Sequence, residues 1–137
     1  SYLPIRLCEV ETAYSMEVAP VLMTVYRDRD GLERPNAVFD GVMVTRYQKG
    51  LERSPDEMRF VDYGLSVWQR DVVDSMVPKH AKSDLADLFS VLSESGRLAG
   101  FEAQERFYEI GSPEGLRDLE SRLQTGGALA TPPDSGD

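Results

Sequence analysis

The sequence predicts an α/β fold, with a mixed sheet that includes one β-hairpin and is flanked by helices. Three features predict it. Apolar runs of strand length, at residues 21–26 and 60–68, are interleaved with segments of helical period. Asp40-Gly41 sits between two apolar runs, as in a tight hairpin. Two later segments each combine a capping residue with a leucine stripe, the mark of an amphipathic helix. Strands and helices alternating around buried apolar runs define the class.

In chain order, Leu7, Val10 and Tyr14 follow helical spacing, and Pro20 ends that segment. Residues 21–26 suit a buried strand. Residues 27–36 are dense in charge and hold Gly31 and Pro35, so a loop is expected there. Val38 and Phe39 lead into Asp40-Gly41 and out through Val42, Met43 and Val44; both turn residues tolerate the positive φ of a type I′ turn. A second charged loop, residues 50–57, precedes the strand at 60–68. Val61, Tyr63, Leu65 and Val67 give that strand an apolar face, while Asp62, Gly64 and Ser66 point the other way. A face so small and polar either lines a ligand cleft or meets bulk water.

Ser83 reads as an N-cap, with Asp84 and Asp87 complementing the helix dipole. Leu85, Leu88, Phe89 and Leu92 form the stripe, and Gly96 can end the helix. Residues 98–103 and 106–110 read as two short strands. Ser112-Pro113-Glu114 opens another helix with a cap, a first-turn proline and an early acid. Leu116, Leu119 and Leu123 are its expected buried stripe, and Gly126-Gly127 its stop. The ordered part is thus expected over residues 1–126, with 127–137 a disordered tail of mainly Pro, Gly, Ser and Asp.

A chain of 137 residues is the size of one domain, and 41% hydrophobic with 28% charged residues is globular composition. The net charge of −9, from 24 acidic and 15 basic side chains, opposes a phosphate backbone, so no nucleic-acid partner is expected. The acids are scattered and read as solvated surface. Cys8 is the sole cysteine, which precludes an intrachain disulfide and suits a reducing compartment. On a helix its simplest reading is a small core residue. No apolar run approaches the roughly 18 residues of a membrane span, and no basic-then-apolar leader opens the chain. A cytoplasmic location without membrane contact is expected. The chain begins at Ser1 rather than Met, so processing and fragmentation both stay open.

No glycine-rich phosphate loop is present in the sequence. His80, the sole histidine, lies between Lys79 and Lys82 beside Pro78, a surface-loop context without partners for a triad or a metal. Ser66 and Ser112 have no nucleophile elbow around them. No catalytic residue is assigned on these grounds. Two patterns stand out. Residues 106–116 place Glu109 at a strand end, followed by Gly111 and a proline-started helix. Open α/β sheets bind ligands or Mg²⁺ at such carboxylates, although from the pattern alone a structural turn with Glu109 paired to a local base is the commoner reading. Tyr47-Gln48-Lys49 gives the hairpin strand a polar, cationic end, which by itself is a solvated strand end.

Residues 106–116, Arg-Phe-Tyr-Glu-Ile-Gly-Ser-Pro-Glu-Gly-Leu, resemble the closing motif of sugar-1-phosphate nucleotidyltransferases, commonly Asp-Ile-Gly-Thr-Pro-Glu before a helix. Residues 60–67 resemble the strand that carries Asn-Ala-Gly or Asp-Tyr-Gly at that family's sugar pocket. Arg46-Tyr47-Gln48-Lys49 is similar to the preceding strand, where Glu-Lys is commoner. Ser1-Tyr2-Leu3 resembles the residues directly after a Gly-Asp that ends the central strand. Ser83-Asp84-Leu85-Ala86 and Leu98-Ala99-Gly100-Phe101 stand in the expected order, so the resemblance spans about residues 1–125.

The resemblance implies a partial Rossmann-like fold and a role in joining a nucleoside triphosphate to a sugar 1-phosphate with release of pyrophosphate. By position, Lys49 would contact the sugar's phosphate and Gln48 a sugar hydroxyl. Asp62 and Gly64 would line the sugar pocket, and Glu109 would ligate Mg²⁺. Glu at 109 is one methylene longer than the usual Asp, and Gln48 keeps an acceptor but loses the charge of Glu. The family's nucleotide loop, its cationic triphosphate contacts and its Gly-Asp would lie before Ser1. The NTP is therefore expected to bind only with that missing half, and this chain is expected to release no pyrophosphate by itself. The other reading is a non-catalytic module of the same fold that binds a sugar phosphate or a partner chain. A sheet lacking its preceding strands would expose an edge, from which self-association is expected.

Overall fold

Five of the six residues of β1 (Val21–Tyr26) are buried, so this strand needs a neighbour on each edge and cover on each face. It has both. β4 (Val61–Trp68) pairs antiparallel along one edge and β5 (Leu98–Ala103) parallel along the other, giving the order β4-β1-β5. A separate antiparallel hairpin, β2 (Ala37–Phe39) with β3 (Val44–Tyr47), is tied to this sheet by isolated bridges between Ala37 and Phe60 and between Met43 and Ala99. The helices are α1 (Leu7–Ala13), α2 (Arg70–Met76), α3 (Leu85–Glu94) and α4 (Pro113–Gln124). The protein is therefore a mixed α/β structure with a mixed sheet, a hairpin and flanking helices. The computed structural model describes residues 1–125 apart from Met16, Asp30 and Leu32, so the expected tail and the Gly126-Gly127 stop lie outside the described residues.

Strand alternation sorts the core into two layers. Val21, Met23 and Val25 of β1 and Leu98 of β5 pack with Ala37, Val44 and Tyr47 of the hairpin, Val72 of α2, and Phe89 and Leu92 of α3. Leu22 and Ala99, one position on, pack instead with Val10 of α1 and Ala19. β4 obeys the same rule. Its Leu65 and Val67 join the second layer, while Trp68 and the preceding Phe60 join the first.

The register of β4 breaks once. Met23 faces Ser66 but Val25 faces Asp62, so β4 spends two more residues than β1 over that interval. Gly64 occupies the bulge with φ of 89°, a backbone region that favours glycine. Thr24, fully buried opposite it, donates from Oγ1 to the Leu65 carbonyl at 2.6 Å. That bond satisfies a carbonyl the bulge removes from the ladder.

The hairpin differs from the expected two-residue turn. Asp40 Oδ1 accepts the backbone N–H of Val42 at 2.9 Å and of Met43 at 2.7 Å, and the register slips between Val38 and Phe39. These N–H groups, Met43's first, hold the Asp40 carboxyl below its usual range. A side chain has replaced the ladder carbonyl, so the strands part earlier than the dipeptide rule predicts. The hairpin also lies directly on β5, since a Cβ added at Gly100 would overlap the Phe39 ring.

Other local expectations are corrected as well. α1 stops at Ala13 instead of reaching Pro20, and Cys8 is exposed on it rather than in the core. Asp84, not Ser83, caps α3, accepting from Ala86 N at 2.8 Å; Leu85 is 49% exposed. α2 was not anticipated, because Arg-Asp-Val-Val-Asp carries too short and too β-branched a pattern to signal a helix. His80 is exposed, as its context suggested. Among the described residues no helix is long and apolar enough to cross a membrane.

Contacts divide the chain into two units, residues 5–106 and residues 1–4 with the chain from Phe107. Residues 106–110, which start at the boundary, are expected to be a strand but form only one bridge, Tyr2 with Tyr108, within the second unit. α4 begins as predicted, with Ser112 Oγ accepting from Gly115 N at 3.1 Å. Its leucine stripe is not buried: Leu116 and Leu123 are each 46% exposed. Helical period specifies an apolar face but not what covers it.

Candidate functional site

The end of β3 is fixed from α3. Tyr47 N donates to the buried Ser93 Oγ at 3.1 Å, and Ser93 Oγ donates on to the Ser90 carbonyl at 2.8 Å. A backbone N–H at this depth must be paired, and here a helix side chain pairs it. Gln48 and Lys49 follow directly and emerge into solvent. Gln48 N donates to the Asn36 carbonyl at 2.9 Å, while Asn36 Oδ1 accepts Asp62 N at 3.0 Å. One asparagine thereby sets the end of β3 beside the start of β4.

Asp62 is half-buried and accepts the Gly64 N–H at 2.9 Å. Burial raises its carboxyl above the ordinary pKa, opposed by the Gly64 N–H and by the Lys49 ammonium. Lys49 and Asp62 thus feel each other's charge without forming a direct ion pair. The Tyr47 hydroxyl is pushed up to about 12, chiefly by burial and further by the charges of Asp62 and Asp84. Gln48 Oε1 accepts from Arg46 Nη2 at 3.4 Å, and Arg46 also pairs with Glu57 at 2.7 Å.

Two open grooves share Gln48, Lys49 and Gly50 as a wall. The larger, of about 610 Å³, is also lined by Asp84, Asp87 and Glu94. The other runs past Arg34 and Asn36. Of the residues the sequence singles out, Gln48 and Lys49 line both grooves; Asp62, which accepts from Gly64 N, lines neither but feels the Lys49 charge. The fold also adds Asn36, which sequence reasoning left in a loop; a lone asparagine between Pro35 and an apolar run gives no signal of its partners. Chemically the region offers the cations Lys49 and Arg34 for an oxyanion, and a carboxylate and an amide for hydroxyl groups.

Glu109 belongs to the unit of residues 1–4 with the chain from Phe107. Tyr2 and Tyr108 exchange backbone hydrogen bonds at 2.7 and 2.9 Å, and Glu109 accepts from the Ser1 hydroxyl. That partner is a hydroxyl, not the local base that a structural turn was expected to supply. The Glu109 carbonyl lies where a Cβ on Gly115 would be, so α4 starts in direct contact with this residue. Among the described residues no three His, Cys, Asp or Glu side chains converge as a metal cage. Mg²⁺ takes only one or two carboxylates when phosphates and waters complete its octahedron, a role the exposed Glu109 fits.

No protein-family model matches the chain, and no curated protein matches it.

Proposed function

We propose that this chain is the sugar-side part of a Rossmann-like sugar-1-phosphate nucleotidyltransferase, with the NTP site supplied outside it. One observation supports the reading above the others: Lys49 and Asp62, from separate motifs, lie within electrostatic reach at one end of the sheet without neutralising each other. A ligand that presents a phosphate to Lys49 and a hydroxyl to Asp62 would use both charges. Gln48 would take a second hydroxyl, and the bulge at Gly64 would bring backbone close to the sugar. In transfer, an oxygen of the bound sugar phosphate attacks the α-phosphorus in line and pyrophosphate leaves. Such chemistry needs chiefly positioning and charge neutralisation, which suits a site of few groups. Glu109, in the other unit, is the residue that the family resemblance assigns to Mg²⁺, whose charge would offset that of phosphate groups when bound. We place the protein in the cytoplasm, where nucleoside triphosphates are abundant.

The test is calorimetric titration of the chain with a panel of hexose 1-phosphates. Binding of at least one is expected, weakened roughly 10- to 150-fold by Lys49→Met, since a charge-assisted hydrogen bond is typically worth about 1.5–3 kcal/mol. No binding by any sugar 1-phosphate would defeat the reading. Binding without pyrophosphate release, in a polypeptide that also carries a nucleotide site, would make it a non-catalytic sugar-phosphate module.

A further inference from the structure

β1 and β5 run parallel and end side by side at Tyr26 and Ala103. Beyond their carboxyl ends lies a crevice of about 120 Å³ lined by Tyr26, Arg27, Arg29, Glu102, Ala103 and Gln104. Crevices outside the carboxyl ends of strands are where open α/β sheets take ligands. This one is below the roughly 300 Å³ at which drug-sized pockets begin, so it fits a single small group.

Its two guanidinium groups meet no carboxylate partner among the described residues. Among the described residues neither Arg27 nor Arg29 forms an ion pair or a hydrogen bond, in a protein whose net charge is −9. Arg27 lays its guanidinium over the Phe60 ring at 5.9 Å from the centroid. The ring attracts the cation without accepting a conventional hydrogen bond, which leaves its N–H groups for an acceptor. Asp28, between the two arginines, accepts the Glu33 N–H at 2.6 Å. Glu102 supplies the crevice's acid, and Gln104 Nε2 donates to the Glu102 carbonyl at 3.3 Å.

We propose that this crevice is an oxyanion site that takes the phosphate group of a phosphomonoester or free phosphate. The edges of Arg27 and Arg29 grip the phosphate oxygens, since the planar guanidinium matches that geometry. Glu102 accepts from a hydroxyl on or beside the phosphate. The site stands apart from the reading of Lys49, which lines neither wall of it.

The full chain is titrated with inorganic phosphate and with glycerol 2-phosphate at constant ionic strength, read by amide chemical shifts and by calorimetry. Saturable shifts are expected at residues 27, 29, 103 and 104, and stronger binding of glycerol 2-phosphate would identify the ligand as an ester. Arg27→Gln and Arg29→Gln should each weaken binding about 10-fold or more, the low end for a charge-assisted contact at an exposed site. Arg29→Lys should recover part of the loss, and Lys49→Met should leave the shifts at residues 27, 29, 103 and 104 as they are in the native chain. A response no greater than that to chloride overturns the site. So does phosphate binding that survives both arginine variants but disappears with Lys49→Met, an outcome that leaves the sugar-phosphate reading intact. If an arginine variant fails to fold, the shift map of the native chain decides alone.

Discussion

The side-chain carbonyl of Asn36 accepts the backbone N–H of Asp62 at 3.0 Å, across 26 residues of sequence, while its main-chain carbonyl accepts that of Gln48. Removing the side chain leaves a half-buried N–H without a partner. Asn36→Ala should therefore lower unfolding free energy by about 1–3 kcal/mol in urea titrations. It should also loosen the Asp62 amide to hydrogen exchange. An exchange rate equal to that of the native protein would show that water replaces the bond at no cost.

The acidity of Asp62 gives a signed pH effect. Its folded pKa lies above the ordinary value of 3.8, chiefly because burial disfavours the charge. The folded state thus holds a proton that the unfolded chain has released in the window just above 3.8. Stability from this group is complete below that window and falls as pH rises through it. Asp62→Asn keeps an acceptor for Gly64 N–H, so it should raise Tm at pH 7, with the gain fading toward pH 3. A loss of Tm at neutral pH would mean that attraction to Lys49 outweighs burial.

Tyr47 should titrate late. Difference absorbance at 295 nm between the native protein and Tyr47→Phe should show one phenol with a midpoint near 12, against 10.0 for an ordinary tyrosine. The phenolate is disfavoured only in the folded state, so stability should fall as pH rises from about 10 to 12. A midpoint at the ordinary value would mean that the ring is not packed against Phe89 as observed, at 5.5 Å between centroids.

Gly100 and Phe39 should be coupled. Gly100→Ala places a methyl group inside the Phe39 ring and should cost about 1–3 kcal/mol, as overpacked sites do. In Phe39→Ala the same change should cost far less, giving a coupling energy well above the roughly 0.5 kcal/mol of independent sites. Additive losses would place the hairpin away from β5.

If Glu109 holds Mg²⁺, Glu109→Gln in an active polypeptide containing this chain should reduce turnover by far more than it lowers Tm. The amide is nearly isosteric but lacks the charge a hard cation prefers, so raised Mg²⁺ should recover part of the rate. Unchanged metal dependence with a lower Tm would assign Glu109 to the turn it makes with Ser1 and α4.

Much of the fold was legible because it is written in local period. β1, β4, β5 and the starts of α3 and α4 fall within a residue or two of where apolar alternation, caps and a first-turn proline put them. Those signals arise from neighbours in sequence and survive without knowledge of the partner. The hairpin turn was legible in place but not in geometry, because the Asp40 carboxylate competes with the ladder for two N–H groups. The segment 106–110 has strand-like residues, yet a strand exists only where a partner offers its backbone, and one bridge to Tyr2 is all it receives.

The sequence by itself determined the layer pattern of β4, with Asp62, Gly64 and Ser66 opposite the apolar face, and the polar end of β3 at Gln48 and Lys49. Tertiary structure alone decided that these two ends meet. Their meeting depends on Asn36 reaching Gln48 and Asp62, on Ser93 of α3 holding Tyr47, and on the Thr24 hydroxyl closing the bulge at Leu65. Each of these is a hydrogen bond between groups far apart in the chain. Periodicity records which side of an element is apolar, whereas the pairing of a buried polar group depends on which distant donor or acceptor the fold carries to it.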